Sequence, residues 1–161
     1  SAGHPMKNLR MAAVLMPFRA GLIVPKNYGI TTLAGLKGKR WPVFKAGSLG
    51  DHVVKAFLAN GGMQNWMPGM YLTEVKPSPK LPGVEGPTNV MTYDYTFFAS
   101  TATKNDTVYN AVKTLHASEK QLLATGPFWR GFHGRRMANK VDVPFHPGAI
   151  KFYKEIGIWK D

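Results

Sequence analysis

Cysteine is absent from this 161-residue chain. Its absence excludes disulfides, thiolate metal ligands and cysteine nucleophiles, and it fits an oxidising or a reducing compartment equally well. No run of about eighteen apolar residues occurs, so no segment reads as a membrane-spanning helix. Acidic side chains are scarce: nine Asp and Glu stand against 21 Lys and Arg, for a formal charge of +12. The imbalance is concentrated early, with eleven basic residues against two acidic ones in 1–80 and ten against seven in 81–161. A surface of that sign attracts anions, nucleic acid or an anionic membrane over long range. The basic residues are nevertheless dispersed singly, with no Lys/Arg block and no nucleic-acid motif, so no specific nucleic acid is expected. The five histidines lack metal-ligand spacing, and there is no triad, carboxylate pair or phosphate loop. The expectation is a protein that is not an enzyme, with no catalytic residues, no metal and no cofactor.

What is present is a folded domain's share of apolar and aromatic residues, at a length that suits one domain with its own core. Residues 40–62, RWPVFKAGSLGDHVVKAFLANGG, read as strand, small-residue loop and helix. Ser48 and Asp51 make a capping-box-like start, and Asn60-Gly61-Gly62 a stop. Free backbone N–H groups and the positive end of a helix dipole beside such a turn favour an anion, which makes Gly47, Ser48, Leu49 and Gly50 candidate ligand contacts. An ordinary strand-to-helix connection has the same local pattern.

Upstream, Leu9–Met16 and Ala20–Val24 are apolar runs ended by Pro17 and Pro25. They read as a strand pair, or as one long strand interrupted near Pro17. Arg19 sits at that interruption, either pointing into a cleft to hold a carboxylate by a bidentate contact or simply exposed. Thr31 or Thr32 can cap a short helix ending at Gly38. The alternation of strands and helices indicates an α/β domain over 1–161, with a mixed, partly parallel sheet flanked by helices.

Residues 64–88 hold five prolines and show no sustained period, so an irregular segment is expected there, with 76–80 extended. Asn89–Ser100 has strand composition, and its one charge, Asp94, must face solvent or find a partner. Asn105–Leu123 is the clearest helix, capped by Asn105 or Asp106 and carrying a stripe of Val108, Ala111, Val112, Leu115 and Leu122. Phe128–Asn139 interleaves aromatics with Arg130, Arg135 and Arg136, which suits stacking on bases or, more simply, packed rings and solvated arginines. Pro147 suits a first helical turn and Gly157 a helix end.

The tail from Val143 to Trp159, VPFHPGAIKFYKEIGIW, resembles the C-terminal end of solute receptors of TRAP transporters of the TAXI class. Leu9-Arg10 before an apolar strand, Gly29-Ile30, Leu36-Lys37-Gly38-Lys39-Arg40, the Gly47–Gly50 turn and Asp106-Thr107-Val108-Tyr109 follow the family's order as well. The resemblance implies one lobe of a type II periplasmic binding protein, in a shortened form lacking parts of the two-lobed fold. It implies an extracytoplasmic (periplasmic) location with the signal peptide already removed. A small carboxylate ligand is implied too, along with TRAP permease subunits or another envelope protein as partner, and a pocket completed in a homo-oligomer. The alternative is a non-enzymatic accessory or interaction protein derived from such a receptor, which no longer encloses a solute and works through a surface bearing Trp66, Trp129 and Trp159.

Overall fold

The computed structural model describes residues 6–21, 24–39, 69–79, 81 and 84–160. Within them the fold is α/β, a three-stranded sheet with three α-helices. Contacts group the chain into two compact units, one of residues 1–18 and 94–161, the other of residues 19–93.

Strand β1 (Leu9–Ala20) is a continuous apolar run because most of it has no wet face: Met11, Ala12, Ala13, Val14 and Met16 are all buried. Pro17 does not interrupt it, and one strand runs through to Ala20. Gly131 lies against the proline ring, where a Cβ would stand 3.1 Å from Pro17 Cδ. Strand β2 (Tyr71–Val75) lies inside the segment expected to be irregular. It is only five residues long and flanked by prolines, so its identity comes from its partner and not from a local period. It pairs antiparallel with β3 (Thr88–Ser100), in a register running from Tyr71 opposite Thr92 to Val75 opposite Thr88. The buried Thr92 hydroxyl donates to the Thr73 hydroxyl at 2.8 Å, a diagonal cross-strand pair that satisfies a group water cannot reach.

The strand order is β1-β3-β2. Thr101 at the end of β3 donates its N–H to Asn8 O, before the start of β1, at 2.8 Å, so these strands run antiparallel too. The parallel component expected of a mixed sheet is confined, among the described residues, to an isolated bridge between Met11 and Phe145. Met11 N–H donates to Pro144 O at 2.9 Å, and His146 N–H to Met11 O at 2.8 Å.

Helix α1 (Asn105–Ala117) buries Val108 and Val112 as its 3.6-residue stripe requires. Neither Asn105 nor Asp106 caps it: both are inside the helix, and Lys104 holds the cap position without a side-chain bond. Asp106 instead places negative charge in the first turn, where the helix dipole favours it. The helix read as continuous to Leu123 is broken at Ser118, whose hydroxyl donates back to Thr114 O at 2.8 Å, and it resumes as α2 (Glu119–Thr125).

Helix α3 (Pro147–Glu155) starts with proline at its first position. Its N-cap is His146, which is 1% exposed. Nδ1 accepts the Gly148 N–H at 3.2 Å, and Nε2 is 3.1 Å from Thr103 O. That geometry requires the neutral tautomer with its proton on Nε2. Gly157, at φ +71°, ends the helix in the left-handed conformation. The Ile158 N–H donates to Tyr153 O at 3.0 Å and the Gly157 N–H to Lys154 O at 3.1 Å, a complete Schellman motif.

The core of this unit gathers Ala12, Ala13 and Met16 from β1, Val108 and Val112 from α1, Phe132 and Met137 from the following turns, and Ala149, Phe152 and Tyr153 from α3. Tyr153, fully buried, donates its hydroxyl to Ala12 O at 2.6 Å. Burial pushes that phenol far above its ordinary pKa, so it stays neutral and serves as a donor.

The other unit holds the short 3₁₀ turns Lys26–Tyr28 and Leu33–Leu36. Gly29 closes the first at φ +62°, a backbone angle that disfavours side chains with a Cβ. Its Lys26–Glu85 ion pair, at 3.2 Å, is highly exposed and contributes little.

His146→Ala should remove the cap acceptor and leave the Thr103 carbonyl unsatisfied, costing about 2–4 kcal/mol in urea unfolding. His146→Asn, which keeps a cap acceptor, should lose less. Equal losses for the two variants would show that the cap does not carry the effect. Gly148→Ala would drive its Cβ into the Asn105 carbonyl, and it should lower the melting temperature clearly.

Candidate functional site

Arg19 is exposed near the end of β1. The Gly47–Gly50 turn and Trp66 lie outside the described residues. The chemistry visible in the structure is therefore that of residues 94–160, where helices, turns and tail converge.

The aromatic and arginine segment resolves into distinct roles. Phe132 is fully buried, and Trp129 packs edge-on to it with centroids 5.6 Å apart. Trp159 packs edge-on to Phe145 at 5.2 Å. Both tryptophans lean on the core and are half-buried. An indole gains more by covering core aromatics than by standing in water. Phe128 is the exposed ring of the group.

Arg136 is only partly open to solvent and is committed to a partner; it donates from Nη2 to Asp94 Oδ1 at 2.8 Å. Their side chains are 30% and 17% exposed. Asp94, the lone charge of β3, is thus a structurally paired residue that ties the strand to the turn at 134–138. Arg130 and Arg135 are exposed.

That turn has a second tether at Glu119. One carboxylate oxygen accepts the Gly134 N–H at 2.9 Å, and the other lies 3.3 Å from His133 Nδ1. The Gly134 amide, more than the opposing desolvation or the contact with His133, holds the carboxyl below its ordinary pKa of 4.5. Gly134 must be glycine because a Cβ there would sit 2.6 Å from the His116 ring. The sequence places His116 and Glu119 one turn apart but gives no sign that His133 joins them. Among the described residues no group of three or more His, Cys, Asp or Glu is placed to hold a metal.

Two concavities border this framework. One, of about 650 Å³, is a shallow, mainly apolar groove lined by Leu15, Phe97, Ala111, Leu115 and Leu122. The other, of about 790 Å³, is more enclosed and more polar, and it lies among His116, Arg135, Asn139, Lys140, Gly157 and Lys160. Both volumes fall in the range of small-molecule sites. Only the second presents charge.

A carboxyl whose folded pKa is depressed stabilises the fold above its unfolded value and loses that contribution as pH falls through the folded one. Urea unfolding of the wild type should therefore weaken from neutral pH to below 4.5. Glu119→Gln should lose less stability over the same interval, and parallel losses would remove Glu119 as a source of acid sensitivity.

No curated protein matches the chain. Residues 71–157 match the model of the NMT1-like family. The match takes in β2, β3 and the three helices and ends at Gly157. It covers more than half of the sequence, and the chain accordingly belongs to the NMT1-like family, a family of solute-binding type.

Proposed function

We propose that this protein is an extracytoplasmic solute-binding component of the TAXI type, which captures a small organic anion and presents it to the membrane subunits of a TRAP uptake system. The observation that carries the reading is the family match over residues 71–157, to which the resemblance of the motifs from Leu9 to Trp159 to the TAXI class adds the finer identity. The formal charge of +12 favours an anionic solute by long-range attraction. No helix among the described residues is long and apolar enough to cross a membrane.

In this reading the ligand is a small carboxylate. Arg19 supplies a bidentate charged contact, and Gly47, Ser48, Leu49 and Gly50, whose residue types suit an anion-binding turn, supply backbone N–H donors. The protein acts by binding and not by catalysis. A second copy of the chain, contributing further contacts, completes an enclosure that one lobe cannot provide alone.

Calorimetric titration with glutamate and a panel of dicarboxylates tests this. Saturable binding with a matching rise in melting temperature is expected for at least one of them. Arg19→Ala should weaken it about 10- to 100-fold, the worth of a charge-assisted hydrogen bond. Absence of heat and of thermal shift across the panel would overturn the reading.

A further inference from the structure

Three features outside that reading compete for a role. For the apolar groove beside Phe97, nothing in the structure states what would cover it. The Glu119, His133 and His116 cluster is spent on holding the turn at Gly134. The polar groove is different, because two of its cations, Arg135 and Lys160, are not spent in ion pairs among the described residues.

Arg135, Lys140 and Lys160 bring three permanent cations to it from the 134–138 turn, the segment after it and the C-terminal tail. His116 adds an imidazole from α1 and Asn139 an amide, and none of the groove's lining residues is acidic. Arg135 and Lys160 have no ion-pair partner among the described residues. Acids on the neighbouring helices are committed elsewhere: Glu119 accepts from Gly134, and Glu155 accepts the Tyr109 hydroxyl at 2.7 Å.

The C-terminus of α3 also borders the groove, through Ile156, Gly157 and Ile158. The exposed carbonyls of a helix end would normally repel an anion. Here the Schellman turn occupies two of them: Tyr153 O accepts from Ile158 and Trp159, and Lys154 O from Gly157. The charged side chains that line the groove are all basic, on a frame braced by that turn.

We infer that this groove is a binding site for a small multivalent oxyanion, a tricarboxylate or a phosphate, separate from the Arg19 and Gly47–Gly50 site. The two uncommitted cations, Arg135 and Lys160, match two negative charges of such an ion, and the volume of about 790 Å³ admits it with its bridging waters. The arginine fork gives two parallel N–H donors to a carboxylate or phosphate edge, while the lysines act as point charges.

The test is titration of the full chain with citrate and, separately, with inorganic phosphate at low ionic strength, followed by calorimetry and amide NMR. Saturable one-to-one binding is expected, with shift changes centred on Asn139, Gly157 and Ile158. The double variant Arg135→Gln, Lys160→Gln should bind about 10- to 50-fold more weakly, from the loss of two close charges in a high-dielectric groove. Arg19→Ala should bind as the wild type does, which separates this site from the proposed solute site. Saturation by citrate alone assigns a carboxylate ligand, saturation by phosphate alone a phosphate, and saturation by both a site selective for charge; each supports the inference. It is overturned if neither ion saturates, if shift changes spread over lysines throughout the protein, or if the double variant binds unchanged. Both side chains are exposed, so the variant should fold; should it not, Lys160→Gln alone carries the test with an expected loss of about 3- to 7-fold.

Discussion

The buried imidazole of His146 is the constraint on which the helical unit depends. Its ring stands between the start of α3 and the carbonyl of Thr103, just before α1, and its own backbone N–H is bonded to Met11 in β1. One residue thus fixes the first turn of one helix, the approach to another and the position of a strand. Because the ring is removed from water, each bond must be made inside the protein or its loss is felt in full. Asn or Ser, the usual residues at a helix start, can supply the acceptor but cannot span the remaining distance to Thr103.

Small residues make this arrangement possible. Ala12, Ala13 and Ala149 are fully buried in the core that β1 and α3 share, while Gly148 lets α3 approach the start of α1, where any side chain would meet the Asn105 carbonyl. The large groups then fill around them, with Tyr153 reaching back to Ala12 and Phe152 packed edge-on to Tyr109. The consequence runs as far as the surface. A helix held at both ends, by His146 and by the turn at Gly157, sets one wall of the basic groove, and the tethers at Glu119 and Asp94 set another.

Much of this fold is legible in the sequence wherever the signal is local. The apolar run of β1, the strand at 88–100, the amphipathic stripe of α1, Pro147 at a helix start and Gly157 at a helix end each occur close to where the sequence puts them. The signals that mislead are those in which a neighbour overrules local preference. Pro17 remains inside a strand because Gly131 leaves room for its ring. The strand at 71–75 exists because β3 offers it a ladder, and Ser118 bends a helix by bonding to its own backbone.

The candidate sites divide along the same line. An exposed Arg19 and an anion-suited turn at Gly47–Gly50 can be named from residue types, and the TAXI-like order of motifs points to a binding protein. The groove of Arg135, Lys140 and Lys160 has no linear signature, since its charges lie up to 25 positions apart and basic residues are dispersed singly along the chain. The sequence by itself determined the excess of positive charge, the absence of thiol chemistry, the family and the kinds of element. Only the tertiary structure decided which charges are spent in pairs, as at Arg136 and Asp94, and which remain available, as at Arg135 and Lys160. The reason is physical: composition and local period act over a few residues, whereas the pairing of a charge depends on what the folded backbone brings within about 4 Å of it.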